Sequence, residues 1–213
     1  MLARLGLLGD LHAEHDLLAT ALAFLAPRCD AILAVGDVAD GPGDLDRACA
    51  LLDAHGAITV RGNHDRWFLA GQQRSLPDAH RTATDATRAY LAALPATRQL
   101  ATPAGSVLLC HGLGPNDMAR LTPDDEGYAL EVNTDLHALL AADHAIVVGG
   151  HTHRRMIRAF GATVLVNPGT LHRHHEPGFM LLDTATRTVQ IHRFGADGSL
   201  ATPSDHRLDD RFP

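Results

Sequence analysis

Apolar and polar positions alternate in blocks along the chain, and the blocks change period. Residues 3–8 form a short apolar run that predicts a strand ending at Gly9-Asp10. Leu17, Leu18, Ala21, Leu22 and Leu25 recur at helical spacing over 14–26, where Pro27 stops the helix. A buried strand over 31–35 runs into Gly36-Asp37, a helix over 44–54 carries Leu45, Ala48, Leu51 and Leu52, and a third strand over 57–60 ends at Arg61-Gly62-Asn63. The rhythm then lapses. Residues 66–95 read as a mainly helical insertion with a helix near 78–94 that stops at Pro95. Strands resume over 98–102 and 106–110, and a Gly/Pro/Asp-rich loop follows over 112–130. A helix near 133–142 precedes a strand over 145–148 that ends at Gly149-Gly150-His151. The last third reads as antiparallel, with paired runs at 156–160 and 163–166 and at 179–183 and 188–194, before a polar tail from about 195.

This order predicts an α/β fold made as one domain over residues 1–213. In such sheets ligands gather beyond the carboxyl ends of the strands. Every chemically distinctive motif of this chain begins where a predicted strand stops: Asp10-Leu11-His12, Gly36-Asp37-Val38-Ala39-Asp40, Gly62-Asn63-His64-Asp65, Cys110-His111-Gly112 and Gly150-His151-Thr152-His153. Two side chains one residue apart on an extended segment face the same way, so Asp10 with His12 and His151 with His153 can each address one ion. The carboxylates, amide oxygen and imidazoles at Asp10, His12, Asp37, Asn63, His111, His151 and His153 exceed the ordinary coordination of one cation and suit two divalent ions sharing a carboxylate. Cys110 reads as a packed strand residue.

Composition narrows the chemistry. All 18 basic residues are Arg, which excludes a P-loop lysine, a Schiff base and a lysine general base. The formal net charge of −7 disfavours nonspecific nucleic-acid binding. No apolar run reaches membrane-spanning length, the N-terminal run reads as a strand and not a signal peptide, and three scattered cysteines fit a reducing cytoplasm.

Read as D-x-H, GD-x-x-D, GNH-D, H and GH-x-H, the motifs resemble the signature of the calcineurin-like metallophosphoesterases, and Asn167-Pro168-Gly169-Thr170 is similar to the NPGS segment of their small bacterial phosphodiesterases. The resemblance implies a four-layer αββα sandwich of two mixed β-sheets flanked by helices. It implies that Asp10, His12 and His153 hold one metal, that Asn63, His111 and His151 hold a second, and that Asp37 bridges them. Mn²⁺ is the expected metal, with Fe, Zn²⁺, Co²⁺ or Ni²⁺ as alternatives. His64 matches the catalytic histidine, and Asp40 and Asp65 match acidic positions near it. The implied reaction is hydrolysis of a phosphodiester of a small molecule or nucleotide by a metal-bridging hydroxide. His64 stands where some small bacterial members have Cys, which keeps monoesters open as substrates. The flavour of Gly9-Asp10-Leu11-His12 and Arg61-Gly62-Asn63-His64 also resembles Ser/Thr protein phosphatases and dinucleotide tetraphosphatases. Those carry a phosphate-clamping Arg where this chain has Gly41. A non-catalytic scaffold of the same fold is a further alternative, and the small bacterial relatives suggest a homo-oligomer. Arg66, Arg154, Arg155 and Arg173 flank motifs and are candidates to grip phosphate or ordinary surface cations. His172, His174 and His175 read as rim residues, and Trp67, Phe68 and Leu69 as packing for the insertion.

Overall fold

The computed structural model describes residues 2–72 and 75–209. Residues 73 and 74 of the expected insertion and 210–213 of the expected tail lie outside it. The elements run β1 (Arg4–Leu8), α1 (His15–Leu25), β2 (Ala31–Ala34), α2 (Leu45–Ala54), β3 (Ile58–Thr59), α3 (Asn63–Leu69), α4 (Asp85–Ala93), β4 (Thr97–Thr102), β5 (Gly105–Cys110), α5 (Tyr128–Glu131), α6 (Thr134–Leu140), β6 (Ile146–Val148), β7 (Met156–Phe160), β8 (Thr163–Asn167), β9 (Gly178–Asp183), β10 (Thr188–Arg193) and β11 (Ser204–Arg207).

Two mixed sheets form the body. One has the order β11-β10-β9-β1-β2-β3 and the other β4-β5-β6-β8-β7. In the first, β1, β2 and β3 are parallel while β9, β10 and β11 join antiparallel. In the second, β5, β6 and β8 are parallel between antiparallel edges. The pleat sorts the side chains into three apolar layers. Leu5 and Leu7 of β1, Leu33 of β2, Val107 and Leu109 of β5 and Ile146 and Val148 of β6 meet between the sheets. Leu8 turns outward onto Leu18 and Leu22 of α1, with Ala48 and Leu52 of α2 beside them. Leu108, Cys110 and Val147 face outward onto Leu136 and Leu139 of α6. These strands are covered on both faces, which is why they read as continuous apolar runs. Full burial of each Leu contributes about 1.5–3 kcal/mol. The layers make the expected αββα sandwich. Among the described residues no helix is long and apolar enough to cross a membrane.

Three elements differ from the expected pattern. The motif at Gly62–Asp65, expected only as the end of the third strand, opens α3, because Asp65 accepts the Gly62 backbone N–H at 2.9 Å and closes the first turn. The helix expected near 78–94 begins only at Asp85, capped by Thr84, while residues 78–80 run across to Asp40 and Gly41. The segment 204–207, expected as loose tail, pairs with β10 as an edge strand. It escaped the hydrophobic pattern because Ser204, Asp205, His206 and Arg207 bury no apolar side chain.

Candidate metal centre

The ends of β1, β2, β3, β5 and β6 deliver the motifs to one place. Asp10, His12, Asp37, Asn63 and His111 are all buried there, and His151 and His153 are half-buried. His12, Asp37, Asp40, His151 and His153 have positive φ angles of 47°, 48°, 64°, 67° and 58°. Non-glycine residues avoid this region, and its concentration here is strain held in place by the surrounding packing.

The donor atoms fall into two groups that share Asp37. One is His12, Asp37 and His153; the other is Asp37, His111 and His151; in each the atoms lie within 4.8 Å of one another. His12 Nε2 stands 2.9 Å from His153 Nε2. His12 Nδ1 is 2.5 Å from the Asp40 carbonyl oxygen, so it carries the proton and leaves Nε2 as a lone pair. His111 repeats the arrangement. Its Nδ1 donates to Val35 O at 2.8 Å, while Nε2 faces Asn63 Oδ1 at 2.9 Å and Asp37 Oδ2 at 3.3 Å. His151 Nδ1 approaches Asn63 Oδ1 at 3.0 Å. Asp10 accepts the His151 backbone N–H through Oδ1 at 2.9 Å, but its fully buried Oδ2 has no hydrogen-bond partner.

Lone pairs thus converge on two points with few protons to share, and an orphaned buried carboxylate oxygen stands beside them. Such a set repels itself unless cations or extra protons occupy the middle. The titration behaviour carries the same signature. Burial, reinforced by the Asp37 charge, pushes Asp10 from 3.8 up to about 7. Burial opposes ionisation of Asp37 too, but the charges of His111, His64 and His12 outweigh it and hold Asp37 well below the usual carboxylate range. Burial alone would lower His111, yet Asp37 and Asp10 hold it up at about 10. His12 falls to about 4 and His153 to about 3, chiefly through burial. The neutral imidazoles of His12 and His153 and the buried carboxylates form a donor set that fits divalent transition metals, with the proton of His111 standing where a cation would.

His64 stands apart from these donors. Its backbone N–H donates to Asp37 Oδ1 at 2.8 Å, and its Nδ1 lies 2.8 Å from Asp40 Oδ2. Burial disfavours charge on His64, but the Asp40 hydrogen bond and the charges of Asp37, Asp40 and Asp65 overcome it and raise its pKa. Asp65 lies next to His64 and turns its carboxylate to backbone amides. It is fully buried, with Oδ1 accepting Val38 N and Ala39 N at 2.8 and 2.9 Å and Oδ2 accepting Gly62 N. It ties the 37–40 loop to the start of α3, and its hydrogen bonds among the described residues go to backbone N–H groups, so its part is positioning.

Gly41 has a steric reason. A Cβ there would fall 1.8 Å from the His12 carbonyl oxygen, so no arginine fits at this position. The flanking arginines are engaged by protein groups. Arg66 pairs with Asp117 at 2.7 and 2.9 Å, Arg154 with Asp124, and Arg173 with the buried Glu14 at 2.5–2.9 Å. Arg155 is buried and donates to Glu176 O at 2.8 Å. The Asn167–Thr170 segment braces the ligand loops. Asn167 donates to Gly150 O at 2.9 Å and Thr170 Oγ1 to Asp10 O at 2.7 Å.

One neighbour of the site, His80, carried no sequence signal. His80 of the insertion accepts the Asp40 backbone N–H at 3.0 Å and returns its own N–H to Asp40 Oδ1 at 3.0 Å. Trp67 sets its ring edge-on to His64, with centroids 5.0 Å apart, whereas Phe68 is core. His172 lies 5.4 Å from the His12 ring, centroid to centroid, at the rim. An open groove of about 580 Å³ runs along the insertion past Phe68, His80, Arg81 and Arg88.

The family profile described as the calcineurin-like phosphoesterase superfamily domain matches residues 3–187. The chain belongs to this superfamily. Among solved structures, this superfamily member is similar to a metallophosphoesterase from Sphaerobacter thermophilus, with a TM-score of 0.70 at 19% identity over 93% of this chain and 91% of that one. It is also similar to the Escherichia coli phosphoesterase YfcE, with a TM-score of 0.56 at 18% identity over 94% and 98%. A third is Vps29 of Entamoeba histolytica complexed with zinc, with a TM-score of 0.58 at 16% identity over 97% and 99%. No curated protein sequence matches the chain.

Proposed function

We propose that this protein is a two-metal phosphoesterase that hydrolyses phosphodiesters of a small molecule or nucleotide. One observation carries the reading: two convergent donor groups share Asp37, and an acid-competent His64 stands outside both. Asp10, His12, Asp37 and His153 would hold one cation, and Asp37, Asn63, His111 and His151 the other. Two divalent cations so held supply an activated water at neutral pH and neutralise charge on the phosphoryl oxygens. Mn²⁺ is the first choice for both.

The chain's own residues do the remaining work. Asp40 accepts from His64 Nδ1 and orients the ring, which leaves Nε2 to donate a proton to the leaving oxygen. The hydrogen bond to Asp40 and the nearby carboxylates raise the His64 pKa and so favour its protonated form. Asp65 holds the 37–40 loop so that Asp37 and Asp40 keep their separate directions. Val38 and Ala39 are fully buried behind the site and keep that side of it dry.

The test is hydrolysis of bis(p-nitrophenyl) phosphate by the Mn²⁺-loaded protein. Turnover that is lost on chelation and in Asp37→Asn supports the reading. A fully metal-loaded protein inactive on a broad phosphoester panel would refute it.

A further inference from the structure

A second groove, of about 210 Å³, opens on the His111 side of the centre. It is bounded by Arg61, Arg66, His111, Asn116 and Asp117. Arg61 follows β3 directly, and its backbone N–H is fixed to Pro95 O at 2.8 Å. Arg61 is half-buried as a residue, and its side chain makes no hydrogen bond or ion pair with the described residues. Arg66 enters from α3 and gives Nε and Nη2 to Asp117, which leaves Nη1 without a partner among the described residues. Apart from His111 at its inner wall, the charged groups of the groove are Arg61, Arg66 and Asp117, one positive charge in excess within a chain of net charge −7. The remaining walls, Ala96, Gly114 and Pro115, offer no ring for a base to stack on. The volume falls below the roughly 300–1,000 Å³ of pockets for drug-sized ligands and suits a small anion.

We propose that this groove is a subsite for a second phosphate of the substrate, adjacent to the phosphoryl group at the metal centre, with Arg61 as its principal ligand. The proposal rests on the phosphoesterase reading and narrows it to esters that carry a neighbouring phosphate, such as nucleoside diphosphate derivatives. An arginine fork suits a phosphate because it donates two parallel hydrogen bonds in a fixed plane. The Arg66–Asp117 pair sets the height of the 112–117 loop above the groove and leaves the Nη1 edge for the same anion.

The experiment compares ADP with AMP, two probes that differ by one phosphate. Binding to the Mn²⁺-loaded protein is read by calorimetry, so the result does not depend on turnover. The parent is expected to bind ADP at least about tenfold more tightly than AMP, since the second phosphate gains charge-assisted hydrogen bonds from Arg61. Arg61→Gln is expected to remove that preference, and Arg61→Lys to restore part of it. No preference in the parent, a preference retained in Arg61→Gln, or an equal weakening of AMP and ADP would overturn the proposal. Thermal melting of the loaded variants checks folding, and Arg61→Lys provides a second reading if Arg61→Gln does not fold. Failure of the phosphoesterase reading shows separately, as absence of turnover with the ADP preference intact.

Discussion

His64 Nδ1 and Asp40 Oδ2 lie 2.8 Å apart, with Asp40 itself held by the backbone of His80. The hydrogen bond favours the charged imidazolium and raises the His64 pKa above its ordinary value. A raised acid stays protonated to higher pH, so it sets the basic limb of the rate profile. Asp40→Asn is expected to lower kcat by about 10–100-fold and to move that limb toward lower pH. Steady-state rates against pH for the parent and the variant check this. An unshifted limb would assign it to another group.

Asp10 links the centre to stability. In the metal-free protein its carboxyl is raised from 3.8 to about 7 by burial. The folded state therefore holds a proton that the unfolded chain releases. Its stabilising contribution is complete below pH about 4 and is lost as pH rises through about 7. Asp10→Asn cannot ionise. Without metal, it should gain on the parent by roughly 1–4 kcal/mol between about pH 4 and pH 8. With Mn²⁺ the order should reverse. Urea denaturation with and without chelator measures both.

Gly41 tests the packing that excludes an arginine. A Cβ at this position meets the His12 carbonyl at 1.8 Å, so the loop carrying a proposed ligand must shift. Gly41→Ala is expected to cost about 1–3 kcal/mol of stability and to weaken metal binding. Denaturant midpoints and Mn²⁺ titrations read the two effects separately.

Glu14 and Arg173 couple the loop after β1 to the histidine-rich rim. The Glu14 carboxylate is fully buried, whereas Arg173 is half exposed. Removing the arginine leaves a buried charge with less compensation, so Arg173→Ala should destabilise by about 1–3 kcal/mol, a figure below that of a fully buried pair because solvent screens this one. The double variant with Glu14→Gln should recover part of the loss in the same denaturation assay.

The sequence pattern carried the strands well because β1, β2, β5 and β6 are buried on both faces and read as unbroken apolar runs. The donors at Asp10, His12, Asp37, Asn63, His111, His151 and His153 were legible because each follows such a run within a few residues. What lay hidden depends on contacts between distant segments. His80 reaches Asp40 across 40 positions through an insertion with no apolar rhythm. Asp65 adjoins His64 in the chain, yet the first turn of α3 points it into the core. Arg61 was legible as part of the Arg61-Gly62-Asn63-His64 motif but not as a groove residue, since a guanidinium without a partner among the described residues is recognisable only once its neighbours are placed.

The most direct test of the two-metal account is a titration of metal-free protein with Mn²⁺, reading hydrolysis of bis(p-nitrophenyl) phosphate at each addition. The rate should rise to a plateau at about two equivalents per chain, the number that the shared carboxylate of Asp37 can serve. Full activity without metal, or a plateau at a single equivalent, would contradict it.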